Sequence, residues 1–500
     1  MVQGLSAQQA NESFVKDEVL VKLVAGSSSS AIRSLETARF QHRAALGSTG
    51  WHRVALTSGQ SVNDAIRTIS KLPYVAAVQP NFYYTLQAVP NDPQWGATGT
   101  YGLPAISAPS AWDLTTGSSD VVVANIDTGM RLTHEDLAAN IWINPGEIAG
   151  NGVDDDGNGF IDDVNGWDFR FDDSDPSDQH GHGTHTGGTI GAVGNNMLGV
   201  TGVNWNVRIM VIKIYSQAAN DTTSAMLIAA YDYVRVMKAR GINIRVTNNS
   251  YGGCAEACSY DQATKDAIDA LGAAGVLNVF SAGNAGQNTE VTPFYPGSYN
   301  SPSILNVAAS NSLDNRASFS NYGSVSVDLA APGAGILSTT NGSNSSYGGM
   351  SGTSMAAPHV SGVAALLAAH NPSLSAQSLK ATLMNTVDPL SQWTGIVKTG
   401  GRLNAFAALQ NQTICNIVPS VSEITVPTKG GYVEIAVSAA ANCDYLISSP
   451  VNWISVSGTS SKSGSSTVGL FVRVNPVISR QASVTIGGGT VNIRQARGKN

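Results

Sequence analysis

The chain has 500 residues and a formal net charge of −7; 13% of its residues are charged and 42% are hydrophobic. A disordered chain would be more charged and less apolar, a nucleic-acid binder would carry a basic excess, and a membrane helix would need about 18 apolar residues in a row. The numbers therefore indicate a folded protein, long enough for about three domains, with neither nucleic acid nor membrane as a partner.

The negative charge is concentrated in one place. Residues 154–178 contain ten aspartates and one basic residue, Arg170. The rest of the chain has 27 Lys and Arg against 25 Asp and Glu, so it is nearly neutral. The acidity is therefore a local feature that needs its own explanation.

The pattern of the chain changes along its length. Residues 1–12 are polar and are predicted to be disordered. Residues 13–87 form an α/β unit, with strands at 18–23 and 75–80 and helices at 29–46 and 61–71. Residues 88–410 begin with a turn-rich connector and then alternate apolar strands with helices, which predicts an α/β domain, a parallel sheet with helices on both faces. Residues 415–497 alternate with period two between Ser/Gly turns, which predicts an antiparallel, all-β sandwich.

The four cysteines lie in two pairs, Cys254 with Cys258 and Cys415 with Cys443. An even number in such a sequence favours two disulfides and an oxidising compartment, and buried free thiols are the alternative. The first residues lack the charged and apolar regions of a signal peptide. If the protein is secreted, its signal was therefore removed or lies upstream of this chain.

Three polar segments adjoin the predicted strands and helices. Asp127-Thr-Gly129 directly follows a buried strand, at the edge where α/β sheets build their sites. His180-Gly-His-Gly-Thr-His185 opens a helix of small residues, and three histidines could alternatively bind a metal. Gly352 to Gly362 places Ser354 at a helix N-terminus, where free N–H groups favour a developing oxyanion. Taken singly, Asp127 is better explained as a turn residue and Ser354 as a helix cap.

Together the segments supply a carboxylate, a histidine and a serine in the order Asp…His…Ser. With DTG, HGTH and GTSMAAPHVSG as they stand here, residues of about 90–405 resemble the subtilases, the subtilisin-like serine peptidases. The resemblance implies that Ser354 is the nucleophile, His182 the general base and Asp127 the carboxylate that orients it. Asn284, in Ser281-Ala-Gly-Asn284, is implied as an oxyanion donor.

The same resemblance implies how substrate binds. Ser250-Tyr251-Gly252 is similar to the family segment that pairs with substrate as an added strand. Tyr251, Ser281 and Gly283 would then line the pocket for the residue before the scissile bond, and their sizes leave the preference open. A Cys254–Cys258 disulfide would stiffen the adjoining rim.

The acidic window begins like a calcium loop. Aspartate or asparagine occupies alternate positions and a glycine follows, as at the start of an EF-type loop, but position twelve is Asn165 instead of Glu. We therefore expect a calcium loop that is not an EF-hand, and a solvated acidic insertion is the alternative. The expected ligands are Asp154, Asp156, Asn158, Phe160 and Asp162.

The resemblance implies a separate Ca²⁺ site around the segment 194–200. Its implied ligands are the side chains of Asp136 and Asn196, together with the carbonyl oxygens of Gly194, Leu198 and Val200. Calcium is therefore the one cofactor expected.

The flanking units complete the expected organisation. Residues 13–87 resemble the inhibitory propeptide of subtilases, a ferredoxin-like chaperone that would be cut between Tyr84 and Asn91; a permanent N-terminal domain is the alternative. Residues 415–497 resemble BACON-type modules, for which carbohydrate binding and a spacer or adhesion role both stay open.

The sequence thus predicts a secreted, monomeric serine endopeptidase that hydrolyses proteins and peptides. We expect it to be made as a self-processing zymogen, inhibited by its own propeptide and stabilised by calcium. A non-catalytic binding or adhesion protein on the same scaffold is the alternative.

Overall fold

The computed structural model describes residues 14–57, 59–82, 88–253, 260–475 and 478–496. The chain divides into two units, residues 1–86 and residues 87–500. No helix in the described ranges is long and apolar enough to span a membrane.

The first unit has a βαββαβ order. Its antiparallel sheet has the strand order Gln41–Ala45, Trp51–Ala55, Phe14–Leu23, Val75–Phe82, and its helices are Ser28–Thr37 and Val62–Ile69. The helices bury Leu35 and Ile69 against Val19 and Val21 of the sheet. This arrangement is the predicted ferredoxin-like fold.

One helix of this unit is shorter than predicted. The helix expected over 29–46 ends at Thr37, and Arg39 adopts a positive φ of 65°. Residues 41–45 instead pair with the strand Trp51–Ala55. The prediction was wrong for this half because strand pairing is a long-range contact that outweighs local helical preference.

The second unit is built on a nine-stranded sheet. The strand order is Asp388–Pro389, Gly401–Arg402, Leu329–Pro332, Ile304–Ser310, Leu277–Ser281, Ile244–Asn249, Gly117–Asp127, Asn206–Lys213, Gly166–Asp168. Every neighbouring pair is parallel except the first, which is antiparallel. Two further strands, Ile336–Thr339 and Tyr347–Met350, follow Leu329–Pro332 in the chain and form a separate antiparallel pair.

Helices cover both faces of this sheet. They are Gly102–Ala105, Ala108–Trp112, His182–Gly191, Ser224–Ala239, Gln262–Ala273, Thr353–His370, Ala376–Asn385 and Ala405–Gln410, with 3₁₀ turns at Ala138–Asn140 and Ser391–Trp393. Val121 and Val123 pack with the Thr353–His370 helix, whereas Val122 and Ala124 pack with Ser224–Ala239. Successive side chains of this strand point into two different cores, so the strand is apolar throughout and has no polar face.

The chain from 418 to 495 forms two packed sheets. One has the order Val418–Pro419, Gly431–Ser438, Ser466–Val472, Ile454–Ser457, and the other the order Glu423–Val426, Gly489–Gln495, Arg480–Ile486, Asp444–Ser448, Ser461–Ser463. The predicted all-β sandwich is therefore present. It is not wholly antiparallel, because Glu423–Val426 pairs in parallel with Gly489–Gln495.

Candidate active site

Asp127 and His182 are hydrogen bonded across the edge of the sheet. Asp127 ends its strand and is 2% exposed. His182 begins a helix, and its Nδ1 lies 2.7 Å from Asp127 Oδ1. Thr128 N and Thr186 Oγ1 also donate to this carboxylate. An Nδ1–H that faces a carboxylate leaves Nε2 as the acceptor on the other side of the ring.

The surroundings of His182 favour its protonated form. Burial opposes protonation, but the charge and hydrogen bond of Asp127, followed by the charge of Asp178, outweigh burial and raise the pKa of His182 above its usual value. By contrast, burial lowers the pKa of His185 to about 4, and its Nε2 faces the carbonyl oxygen of Ile336. Among the described residues, no histidine belongs to a group of three or more His, Cys, Asp or Glu side chains close enough to hold a metal ion.

Asp178 binds both segments that carry this pair. Its Oδ1 accepts from Thr128 Oγ1 at 2.9 Å and from the backbone N–H groups of His180 and Gly181. Its Oδ2 accepts from Thr184 N at 2.9 Å and from Thr184 Oγ1 at 2.6 Å. The helix N-cap is Gly181, which has no side chain to cap with, so Asp178 satisfies the orphan N–H groups instead.

Ser354 is the second residue of the Thr353–His370 helix. Its hydroxyl donates to the carbonyl oxygen of Ser250 at 2.9 Å. In return, Ser250 Oγ donates to the carbonyl oxygen of Ser354 at 2.8 Å. The geometry therefore joins the predicted nucleophile to the predicted substrate-pairing segment.

Asn284 is oriented by the start of the same helix. Its Oδ1 accepts from Thr353 N at 2.8 Å and from Thr353 Oγ1 at 2.9 Å. Asn321 holds the residues on both sides of Asn284: its Oδ1 accepts from Ala285 N, and its backbone N–H donates to Gly283 O. Since the amide oxygen is occupied, Nδ2 of Asn284 is the end left to donate to another group.

The predicted substrate segment follows the strand Ile244–Asn249. The hydroxyl of Tyr251 lies 2.5 Å from the Tyr231 hydroxyl and donates to Asn249 Oδ1 at 3.0 Å. Burial, followed by the neighbouring Tyr231 hydroxyl, raises the pKa of Tyr251 far above its usual value. Its polar end is therefore engaged within the protein. Ser281 is buried and Gly283 has a φ of +98°.

Asp136 is a fully buried carboxylate. Asn196 Nδ2 and Val200 N donate to it at 2.8 and 2.9 Å. Burial raises its pKa to about 6, against these hydrogen bonds, and the nearby charge of Asp92 contributes in the same direction. Asp92 itself accepts from the N–H groups of Asn195 and Asn196. Asp92 and Asp136 are thus two buried carboxylates that accept from the same loop, which carries Gly194, Leu198 and Val200, and together they have the chemistry of a divalent-cation site.

Part of the acidic window lies close to a residue outside it. Glu147, Asp154 and Asp156 offer carboxylate oxygens within 4.8 Å of one another. Asp162 instead accepts from the N–H groups of Asn151 and Gly152 and has a φ of +57°.

Two further residues of the window also turn inward. Asn158 Nδ2 donates to Asp163, and the Phe160 ring packs edge-on against Tyr233. The structure thus brings Asp154 and Asp156 together with Glu147, a residue that the loop motif does not include.

The structure contains a disulfide between Cys415 and Cys443, as predicted. Cys254 and Cys258 lie outside the described residues, so their pairing stays a prediction. The expected propeptide cut, between Tyr84 and Asn91, lies partly outside them too.

Comparison with known proteins agrees with the fold. The subtilase family matches residues 118–413, and the fervidolysin N-terminal prodomain family matches residues 2–81. Neither range includes the C-terminal sandwich, whose BACON-like assignment stays a prediction.

Relatives of this chain are proteases. It is 36% identical to thermitase of Thermoactinomyces vulgaris, over 64% of this chain and 99% of thermitase. It is 33% identical to an extracellular basic protease of Dichelobacter nodosus, over 75% of this chain and 66% of that protein. A solved protease from Pseudoalteromonas arctica has a TM-score of 0.52 and 32% identity, covering 64% of this chain and 99% of that one. The chain is therefore a member of the subtilase family, a serine endopeptidase that carries an N-terminal prodomain.

Proposed function

We propose that Asp127, His182 and Ser354 are the catalytic triad of a secreted, calcium-stabilised endopeptidase that processes its own propeptide. The observation that carries the proposal is the 2.7 Å bond between His182 Nδ1 and Asp127 Oδ1, on a sheet edge that also carries the Ser250–Ser354 pair.

The chemistry follows from the groups present. Ser354 Oγ attacks the carbonyl carbon of the scissile bond and gives its proton to Nε2 of His182. Asp127 stabilises the resulting imidazolium, and the raised pKa of His182 reflects that stabilisation. The imidazolium then protonates the leaving amine, and water repeats the sequence to release the acyl group.

The oxyanion would lie between Asn284 Nδ2 and the N–H of Ser354. The Ser354 N–H belongs to the first turn of its helix, where backbone donors are free and the dipole is positive. In subtilisin, removing one such side-chain donor costs about 3–4 kcal/mol of transition-state stabilisation. We expect Asn284→Ala to lower kcat with little change in KM.

The test is Ser354→Ala in the full chain. Wild type should shorten by the mass of the prodomain, whereas Ser354→Ala should keep it. Ser373→Ala, which changes an exposed serine beyond the end of the same helix, should process like wild type. Full-length bands for wild type, with no hydrolysis of a protein substrate, would refute the proposal and favour the non-catalytic alternative.

Calcium would neutralise carboxylates in this scheme and takes no part in the bond-breaking step. Asp136, Asn196 and Asp92 fit a cation because two buried carboxylates otherwise lie side by side without a basic partner among their hydrogen bonds. At the acidic window Asp154, Asp156 and Glu147 would contribute. A chelator should lower the thermal midpoint, and Asp136→Asn should reduce that chelator effect. An unchanged midpoint would contradict both sites.

The location and partners follow from the same proposal. Proteins and peptides would be the substrates, and the prodomain would act as inhibitor until it is cut. Export agrees with the disulfide Cys415–Cys443 and with an extracellular relative. Intact mass should fall by two hydrogens per disulfide relative to the reduced chain. A loss of four would add Cys254–Cys258, and no difference would argue against export.

A further inference from the structure

We infer that Phe294 fills the primary specificity pocket and restricts this endopeptidase to small side chains before the scissile bond. The inference rests on the proposed function, because the position of the pocket depends on Ser354 and Asn284 acting as proposed. Phe294 lies outside the sequence motifs described above.

The pocket is bounded by two neighbouring chain segments. Ile244–Asn249 and Leu277–Ser281 are adjacent parallel strands, so the residues that follow them, 250–253 and 282–284, leave the sheet side by side. The first segment contacts Ser354 and the second carries Asn284. A carbonyl held between Ser354 and Asn284 would therefore direct the preceding side chain into the slot between the segments.

Glycines line this slot on both sides. Gly252 and Gly253 belong to one segment and Gly283 to the other. Glycines remove side-chain volume, and three of them would leave a flat slot wide enough for an aromatic ring.

The ring of Phe294 already occupies that slot. A Cβ added at Gly252 would lie 2.4 Å from Phe294 Cε1, and one at Gly253 would lie 2.7 Å from Cε2. A Cβ added at Gly283 would lie 2.8 Å from Phe294 Cγ. One ring thus contacts both walls, at the distances that only glycine permits.

The backbone of Phe294 is fixed to its surroundings. Its N–H donates to Ser298 Oγ at 3.0 Å, and its carbonyl accepts from Ser298 N at 3.0 Å. The next carbonyl, of Tyr295, accepts from Gly253 N at 2.8 Å. The ring is therefore attached to the wall that it contacts.

A substrate side chain must share the slot with this ring. Alanine or serine needs little room, whereas leucine or phenylalanine would have to displace Phe294 from its apolar contacts. One extra or missing methylene group in such a pocket changes kcat/KM by about 10- to 200-fold. We therefore expect kcat/KM to favour small residues before the scissile bond by a factor of similar size.

The experiment compares mature wild type and Phe294→Ala on peptides that differ only before the scissile bond: Ala, Leu or Phe. Wild type should cleave the Ala peptide at least ten times better than the Phe peptide, in kcat/KM. Phe294→Ala should shift that ratio at least tenfold toward Phe. Phe471→Ala, at an exposed phenylalanine of the C-terminal sandwich, is the matched control and should leave the ratio unchanged.

The outcomes separate the two proposals. If wild type keeps its prodomain and cleaves no peptide, the proposed function is wrong. If wild type is active but cleaves the Phe peptide as well as the Ala peptide, or if Phe294→Ala leaves the ratio unchanged, only the role of Phe294 is overturned. Should Phe294→Ala not fold, Phe294→Leu must give an intermediate ratio, and a wild-type ratio would overturn the inference.

Discussion

Ser250 and Ser354 bind each other through two reciprocal hydrogen bonds, each from the hydroxyl of one to the carbonyl oxygen of the other, at 2.8 and 2.9 Å. One of these bonds has a cause elsewhere in the helix. Pro358, four residues after Ser354, has no N–H, so the carbonyl of Ser354 lacks its helical donor. The Ser250 hydroxyl supplies that donor from the neighbouring segment.

Ser250→Ala should therefore destabilise the protein by about 1 kcal/mol, the usual net value of one such bond. In a Pro358→Ala background the helix regains an N–H for the Ser354 carbonyl, so the same change should cost less. Denaturant unfolding of Ser250→Ala and its parent, in the Pro358 and the Pro358→Ala backgrounds, measures the difference. All four chains carry Ser354→Ala so that they cannot cut themselves. Equal losses of stability in the two backgrounds would show that the stabilising effect of Ser250 does not depend on the missing N–H of Pro358.

Asp178→Asn should make His182 less basic. Asp178 favours the imidazolium, so removing its charge lowers the pKa of His182. Because kcat/KM rises as the imidazole loses its proton, the acid limb of the profile should move to lower pH. The loss of an acceptor for Thr184 should also reduce the plateau about tenfold, since the histidine is less well held.

The pH profile of mature enzyme tests this expectation. The groups that act on or lie near His182 are Asp127, Asp178, His180 and His185, and only Asp178 changes. Asp175→Asn removes an equal charge from an exposed position three residues earlier and is the control. If the acid limbs of Asp178→Asn and Asp175→Asn coincide, Asp178 has a purely structural role.

The prodomain should become less stable in mild acid. His42 Nε2 and His52 Nδ1 lie 2.9 Å apart on adjacent strands, and burial, followed by the charge of His42, lowers the pKa of His52. The unfolded chain then binds more protons than the folded one, so stability is present above the ordinary histidine pKa of about 6.5 and is lost as the pH falls below it.

Hydrogen exchange in the strands Gln41–Ala45 and Trp51–Ala55 can follow this loss in the Ser354→Ala chain. Protection should fall between pH 7.5 and 5.5, after correction for intrinsic exchange, and His52→Phe should flatten the dependence. His370→Gln, at an exposed histidine of the second unit, should behave like the parent. Equal pH dependence with and without His52 would contradict the prediction.

Lys380 attaches the C-terminal sandwich to the helix Ala376–Asn385. Its Nζ lies 2.7 Å from Asp444 Oδ2, and the two side chains are 4% and 10% exposed. Burial opposes the charge on each, but the attraction between them prevails: with Asp328 it raises the pKa of Lys380, and it lowers the pKa of Asp444. Lys380→Met would leave a buried, unpaired carboxylate, which costs about 3–5 kcal/mol.

The sandwich should then separate from the catalytic domain more readily, which limited proteolysis detects as earlier release. Replacing both partners, Lys380→Met with Asp444→Leu, should recover part of the loss, because Asp444 is then no longer a buried, unpaired charge and Asp328 still has Lys398 at 3.9 Å. Lys398→Met is the control, since Lys398 is 34% exposed and lies 3.9 Å from Asp328. Equal release from Lys380→Met and Lys398→Met would refute the argument.

The positions of the core strands and of the proposed triad could be predicted from the sequence. A run such as Val121 to Ile126 is apolar throughout because both faces of its strand are buried, and this is visible without coordinates. Asp127, His182 and Ser354 each sit at an end of a strand or helix, which a motif marks locally. The helix expected over 29–46 failed because its second half pairs with a strand, a contact that local preference does not encode.

Which side chains converge was decided by the tertiary structure alone. Glu147 joins Asp154 and Asp156, Asp92 joins Asp136, and Phe294 enters the slot of Gly252 and Gly283, although each partner lies outside the motif that it completes. The local pattern of a chain reports burial and turns, because these depend on neighbours in sequence. The charge, capping and fit of a site depend on segments that only the folded sheet brings together, so what this protease cuts is set by contacts that its motifs do not contain.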